Sequence, residues 1–533
     1  MDEIKREIDI ETSNTEALLL EGFRKFGPAL FGKMEGEFAI SVLDRRRGRL
    51  YFSRDFAGKT PLYYYQNSEG IHLSRSLDAL RKWPGFEARI DTTGLLHYLW
   101  YGFVLSPYTI YEQTYKIRQG CYIVYDFATR KTQEAHYWEL DHLYGLPKLN
   151  ISENEILKQT ERILKKSVAD QYHNDTDPAG VMLSGGYDSS LIAALLARQN
   201  DRKTEAFTIG FEEKSYDESR YAAKIAEYLG LKHHIFLFSE KEASRIVPSL
   251  TGIYEEPFAD FGATPTVMLA QMAQKAGIKR LFVGDGGDEV FATADNLEQF
   301  RLFRNFHFSH RGVTGKILNL FDPLHLPLLS NRTGMINRYA KFRMLLQSES
   351  IPQMIKKKEM TFLPKELDRL LHLDSRSFPN AFDLIHFDRR CELADQITGT
   401  YFHTTMADGE LVKTYGALSG AGITPLSPYL ERNLIELLAR TPVSLKLKEG
   451  IRKYLLKTLA HHYIPKELLE RPKSGFDIPF GKWMRGILKE DLSERLSEQN
   501  IASTTFFDPG FVTDLKRRFY QGDDFVQYRL WNL

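Results

Sequence analysis

Apolar and polar positions alternate in short blocks through the first 140 residues. Phe38–Leu43, Arg49–Ser53, Leu62–Tyr65 and Cys121–Tyr125 are apolar or aromatic runs divided by Gly, Asn and Asp turns, which predicts short β-strands. Leu18–Phe26 has helical spacing and stops at Gly27-Pro28. Asp141–Asn150, with Gly145 and Pro147, predicts a linker. The rhythm then changes. Helices are predicted over Glu153–Tyr172, Ser190 to about Arg198, Asp217–Leu229 and Thr264–Lys275. Between them lie apolar strands at Val181–Leu183, Ala206–Phe211, His234–Phe238 and Arg280–Gly284. Strands alternating with helices predict a doubly wound parallel sheet. From about Asn296 the pattern is mainly helical. The expected fold is α/β, with an α+β region over 1–140 and a parallel-sheet unit over 151–533 that ends in a helical part.

Composition narrows the function classes. Apolar residues make up 43% and charged residues 26% of the 533 residues, enough apolar surface for a folded core. Lys plus Arg, 71, balances Asp plus Glu, 70, so no overall field favours nucleic acid or an anionic membrane. The run around Leu95–Leu105 is broken by His97 and falls short of the roughly 20 residues of a membrane span. Met1 is followed by Asp2 and Glu3 with no apolar run behind, which predicts no secretory signal. Cys121 and Cys391 are the only cysteines, which predicts no disulfide framework and a reducing, cytoplasmic setting. Residues 301–360 hold 11 Lys or Arg against 3 Asp or Glu, with Phe303, Phe306 and Phe308, and read as a solvated helical insertion.

The stretch Val181-Met-Leu-Ser-Gly-Gly-Tyr-Asp-Ser-Ser190 carries candidate chemistry. An apolar strand delivers a Ser-Gly-Gly turn onto a helix N-terminus, where glycines let the backbone approach an anion and helical N–H groups point at it. Asp188 in an anion site requires a cation between it and the phosphates, and Mg²⁺ suits that need. No Gly-Lys-Ser/Thr follows, so this is not a Walker loop.

The string resembles the pyrophosphate-binding loop (PP-loop) of the adenine-nucleotide α-hydrolase superfamily. Five further segments resemble asparagine synthetase-like proteins: Phe207–Phe211 with Tyr216–Ala222, Glu255-Glu-Pro-Phe-Ala-Asp260, Val283-Gly-Asp-Gly-Gly-Asp-Glu289, Ser444–Leu447 with Arg452–Leu456, and Arg471–Phe476. Glu35–Ala39, Asp44 and Arg54–Tyr64 resemble that family's glutaminase domain, an amidohydrolase-type sandwich. The resemblance implies an ATP-dependent ligase that adenylates a carboxylate, releases pyrophosphate and forms a carbon–nitrogen bond with ammonia or an amine. It implies that Ser184, Gly185, Gly186, Ser189 and Gly284 hold ATP and that Leu183, Ile209 and Val283 line the adenine pocket. It also implies Mg²⁺ on Asp188 and Asp288, Lys453 as the stabiliser of developing charge, and Asp285 as an acceptor of the nucleophile's proton.

Two departures alter that expectation. Family members with glutaminase activity begin with a Cys after Met removal, whereas residue 2 here is Asp. Ile10–Leu19 resembles a helix start that normally lies several dozen residues in. A shortened sandwich without glutaminase activity is therefore expected, with the glutaminase on a separate chain or absent. In the acceptor region Lys413, Pro428 and Leu430 keep the family frame, but Tyr415-Gly416, Thr424 and Leu426 replace charged residues. Lost charges predict an acceptor other than free aspartate, a small-molecule or peptide carboxylate contacting Tyr415 and Tyr429. The alternative is a substrate-amine cyclase resembling β-lactam synthetase or lasso-peptide cyclases, with a precursor-binding chain as a partner. An RNA-modifying enzyme and a non-catalytic scaffold fit less well, given the balanced charge and the retained Asp188, Asp288 and Lys453.

Overall fold

The computed structural model describes residues 4–5, 7, 14–173, 178–199, 204–292, 297–309, 333–470 and 478–533. The N-terminal unit starts with α1 (Thr15–Phe26), capped by the Asn14 side chain accepting from Ala17 N–H at 3.1 Å. Seven strands follow: β1 (Ala39–Asp44), β2 (Arg49–Arg54), β3 (Tyr63–Gln66), β4 (Ile71–Ser74), β5 (Thr114–Lys116), β6 (Cys121–Asp126) and β7 (Lys131–His136). They form two antiparallel sheets, ordered β1-β2-β6-β7 and β4-β3-β5. The period of two decides the packing. Tyr51, Tyr122 and Val124 turn toward α1, while Phe52, Ile123 and Tyr125 meet Tyr64 and Tyr115 of the smaller sheet. The layers therefore run helix, sheet, sheet. Within this unit lies α2 (Thr92–Tyr101), which packs onto the second unit's core.

The segment expected to be a bare linker contains a short helix, Leu140–Gly145, with Leu140 and Tyr144 buried. Lys148 beyond it reaches Asp395 at 2.5 Å, and the same carboxylate takes the buried Lys446 at 2.6 Å. These contacts pull the connection into the core, which a count of turn-forming residues does not register.

The second unit alternates helix and strand: α3 (Glu153–His173), β8 (Ala179–Met182), α4 (Tyr187–Gln199), β9 (Glu205–Phe211), β10 (Lys232–Phe238), α5 (Ala263–Lys275), β11 (Arg280–Phe282), α6 (Leu411–Gly420), β12 (Thr424–Leu426) and α7 (Tyr454–His461). The strands form one parallel sheet in the order β10-β9-β8-β11-β12. Val181, Ala206 and Phe282 enter one core, with α4, while Phe207, Ile209 and Leu281 enter the other, with α5. Both faces are covered, which explains the continuous apolar runs in the sequence. Each fully buried side chain of this kind contributes about 1.5–3 kcal/mol. The strand β12, short and set inside a helical stretch, has no period-2 signal. Residues 310–332 of the basic insertion, together with the side chains of Phe306 and Phe308, lie outside the described residues, as does Arg471–Phe476. Phe303 packs on Phe342, ring centroids 5.6 Å apart. Among the described residues no helix is long and apolar enough to cross a membrane.

Buried acids join the two units. Glu255 accepts from Leu77 N–H at 2.7 Å and from the Ser76 hydroxyl. Glu256 pairs with Lys116 at 2.6 Å and accepts from Ile110 N–H at 2.8 Å. Asp408 accepts from Ser106 N–H and Oγ at 2.7 and 2.8 Å. The Lys116 and Glu256 side chains are 7% and 12% exposed, so neither charge has water to fall back on. Glu256→Ala is expected to destabilise the chain by about 3–5 kcal/mol, because it leaves a buried ammonium unpaired. Removing both charges, in Lys116→Met with Glu256→Leu, recovers most of that loss. Urea unfolding of both variants checks it.

Candidate active site

The order of the parallel sheet fixes where a site forms. From β8 the chain steps outward to β9 and β10, then returns to β11 on the other side. Strand order therefore reverses between the adjacent β8 and β11, and a site forms beyond their carboxyl ends. Both motif loops lie there.

The first loop leaves β8 at Leu183, whose N–H still donates to Phe207 O at 2.9 Å. Gly185 has φ +74°, and a Cβ on it would sit 2.8 Å from Ala222 N. A side chain is excluded there on both counts. Ser189 Oγ accepts from Ser184 N–H at 3.1 Å and lies 3.0 Å from Ser184 Oγ, which itself accepts from Gly186 N–H at 3.2 Å. The hydroxyls thus brace the turn at the N-terminus of α4, where backbone N–H groups favour an anion.

The second loop leaves β11 at Val283, whose N–H donates to Leu426 O of β12 at 2.9 Å. It presses on the first loop. A Cβ on Gly284 would meet Asp188 Cβ at 3.3 Å, and one on Gly287 would meet Asp188 Oδ1 at 2.2 Å. Lys453, in the left-handed region at φ +53°, reaches into the gap ahead of α7. Its Nζ lies 2.6 Å from Asp188 Oδ1 and 2.8 Å from Asp288 Oδ1. Burial alone would lower the lysine's pKa, but the two carboxylates reverse the effect and raise it. Both oxygens already meet on one cation, the Lys453 ammonium, and as hard carboxylate donors they could instead hold Mg²⁺ shared with phosphate oxygens.

Beside this pair stand two carboxyls of unusual acidity. Burial, then the neighbouring Asp288, pushes Glu289 up to about 8. Burial, then Glu410, pushes Asp285 up to about 7, against Lys413 and a hydrogen bond from Thr414. The Asp285 Oδ2 atom is buried with no hydrogen-bond partner. Lys413 sits between Glu410 Oε2 at 2.5 Å and Asp260 Oδ2 at 3.2 Å, and their charges raise its pKa despite burial.

A family model described as asparagine synthase matches residues 159–533. The chain belongs to this family. A model described as a glutamine amidotransferase domain matches residues 3–138 of the same family member. A putative asparagine synthetase [glutamine-hydrolyzing] 2 from Methanocaldococcus jannaschii is 30% identical over 290 residues, covering 54% of this chain and 55% of that protein. Asparagine synthetase [glutamine-hydrolyzing] 1 from Bacillus subtilis is 23% identical over 499 residues, covering 92% and 76% respectively. The alignment to the first of these relatives thus spans about half its length.

The expected site residues of this asparagine synthase family member do not all gather in one place. Ser184, Gly185, Gly186, Asp188, Ser189, Gly284, Asp285, Asp288 and Lys453 lie on or against the two loops. Leu183, Ser184 and Ile209 wall a cavity of about 60 Å³ with Phe207, Tyr216 and Leu269. Val283 does not line it and is fully buried in the core beneath, because the strand alternates faces there. In the acceptor region Tyr415 and Thr424 line a larger cavity of about 830 Å³ between the two units. Tyr429 and Leu426 do not. Leu426 is a core residue of β12, and Tyr429 is buried under the first loop with its hydroxyl donating to Asp188 O at 2.8 Å. Sequence reading also left out Gly287, Glu410 and the Asp260–Lys413 pair. The first was visible as the fourth residue of a Gly-rich turn; the others meet only through folding. Cys121 and Cys391 are both buried.

Gly287→Ala tests the loop contact. The added methyl must displace the Asp188 carboxylate, and a misplacement of about 1 Å costs on the order of 10²-fold in turnover. Turnover should fall by that amount while circular dichroism and the melting midpoint stay close to those of the parent chain.

Proposed function

We propose that this chain is an ATP-dependent amide-forming ligase that adenylates a carboxylate, releases pyrophosphate and lets ammonia or an amine displace AMP. The observation that carries the reading is the convergence of Asp188 and Asp288 on Lys453 at 2.6 and 2.8 Å, at the mouth of an anion-binding loop. In this reading the Ser184–Ser189 turn binds the phosphates through backbone N–H groups and hydroxyls. Leu183 and Ile209 hold the base by apolar contact. Asp188 and Asp288 would hold a Mg²⁺ ion, which would supply charge neutralisation on the leaving pyrophosphate. The Lys453 ammonium, held at the mouth of the loop by these two carboxylates, stabilises charge at the reacting phosphate. Asp285, the buried carboxyl with an unpartnered oxygen, takes the proton that the attacking nitrogen loses. The membership in the asparagine synthase family and the names of the relatives support the reaction class.

The acceptor proposed is a carboxylate larger than free aspartate. A cavity of about 830 Å³ with Tyr254, Phe103 and Phe258 among its lining residues exceeds what a four-carbon amino acid fills, and Tyr415 and Thr424 stand in its wall. Isotope exchange between pyrophosphate and ATP tests both statements. With aspartate and ammonia the exchange is expected to stay at background, and with a larger carboxylate that fits the cavity it should rise. Products should be AMP and pyrophosphate, and Lys453→Ala should lower the rate by about 10²–10³-fold. Formation of ADP and phosphate would overturn the reaction class.

The acidity of Asp285 gives a pH signature. A base must be ionised to accept a proton, so kcat/KM should rise with pH through about 7, the value to which burial and Glu410 push this carboxyl. Lys413 opposes that shift, and Glu410 and Thr414 are the other groups of α6 and its approach that act on Asp285. Lys413→Met is therefore expected to move the rising limb to higher pH. A pH–rate profile of the two proteins decides it.

A further inference from the structure

We infer that the β6–β7 pair of the N-terminal unit holds a zinc-class cation through Cys121, Glu134 and His136. The ladder register sets Cys121 opposite His136 and Ile123 opposite Glu134. Side chains opposite one another share a face, and residues two apart on a strand do too. All three groups therefore project on the face that turns toward the smaller sheet. Cys121 Sγ lies 3.3 Å from His136 Nδ1, and the three ligand atoms all fall within 4.8 Å of one another. A tetrahedral zinc with bonds of about 2.0–2.3 Å sets its ligands roughly 3.3–3.7 Å apart. The Cys–His pair already meets that spacing, and the carboxylate, within 4.8 Å of both, closes the set by a side-chain shift.

The chemistry of the set selects the ion. Sulfur, imidazole and one carboxylate suit Zn²⁺ and its neighbours, not Mg²⁺ or Ca²⁺. The Arg118 Nε donates to Glu134 Oε1 at 3.0 Å, and its Nη2 bonds the same oxygen. A hydrogen-bonded outer partner of this kind fixes a ligating carboxylate, while the guanidinium charge disfavours a cation held by oxygen alone. The thiolate–metal bond must therefore carry the affinity, with the thiol proton leaving to solvent as that bond forms. Cys121 is buried, whereas the His136 and Glu134 side chains are 39% and 26% exposed, so the ion enters from the rim and keeps a fourth position for water. Glu139 Oε1 lies 3.8 Å from His136 Nδ1 and offers a further oxygen donor.

The fold gives such a clamp a purpose. β7 is the outer strand of its sheet, and none of its six residues is buried. Packing therefore does little to hold it, and a metal bridge to β6 would fasten it where apolar contact does not. This site is separate from Asp188 and Asp288, which offer oxygen alone.

Cobalt titration of the full, chelator-treated chain tests the inference. Co²⁺ should produce a sulfur-to-cobalt charge-transfer band that saturates at one ion per chain and is erased by Zn²⁺. Cys121→Ser should remove the band and Cys391→Ser should leave it. His136→Ala should weaken binding by about tenfold or more. Should Cys121→Ser fail to fold, His136→Ala and Glu134→Gln, at half-exposed positions, supply the same readout. A parent chain without a sulfur band overturns the inference. So does a band that depends on Cys391, or one whose affinity is unchanged in His136→Ala; cobalt held at Asp188 and Asp288 would absorb without the sulfur band.

Discussion

The contact of one loop backbone against the side chain of another governs this molecule's candidate site. Gly287 lies so close to Asp188 that a methyl group would occupy the place of its carboxylate oxygen. Only because no side chain stands there do the loops after β8 and β11 come together, and only then do Asp188 and Asp288 share Lys453. The sheet supplies the approach, since the reversal of strand order puts these two loops side by side. The lysine itself takes a left-handed backbone that costs an L-residue about 1–2 kcal/mol. Two close ion pairs of a nearly buried ammonium offset that strain, and strain retained at such a point is consistent with a positional demand.

Buried charge also decides how the two units act together. Glu255 and Glu256, adjacent in one loop of the second unit, both find their partners in the first. The same loop ends at Asp260, which pairs with Lys413 beside Asp285. The N-terminal unit therefore braces the loop whose Asp260 pairs with Lys413, one of the charges that act on Asp285. It also supplies Arg54, Lys59 and Lys116 to the wall of the large cavity, which α6 completes from the other side. A ligand in that space touches both units, so the unit that resembles a glutaminase domain is part of the site's walls whatever its own chemistry.

Acidity follows burial more than pairing here. Burial disfavours the charged forms of Asp285 and Glu289, and neighbouring carboxylates add to it, Glu410 beside the first and Asp288 and Glu410 beside the second. Asp188, more exposed, is instead paired with the Lys453 ammonium at 2.6 Å. One crevice thus holds carboxylates paired with a cation beside buried carboxyls that keep a proton more firmly.

The alternation of strands and helices, the two Gly-rich turns and the residue types at each can be read along the chain. Chain-local physics governs these features: side-chain period, glycine where φ is positive, and a helix start after a turn. It also made the family legible, because both loops keep their spacing. That Val283, Leu426 and Tyr429 are core or support residues follows from packing alone. A strand end is apolar whether its side chains face a ligand or a neighbouring helix, and only the face chosen by the sheet distinguishes the two. The short helix at Leu140–Gly145, the strand at Thr424–Leu426 and the pairs Glu256–Lys116 and Asp260–Lys413 were equally illegible. Their partners lie about 140 to 250 residues apart or more in the chain, and burial, which gives these contacts their strength, exists only once the two units have packed.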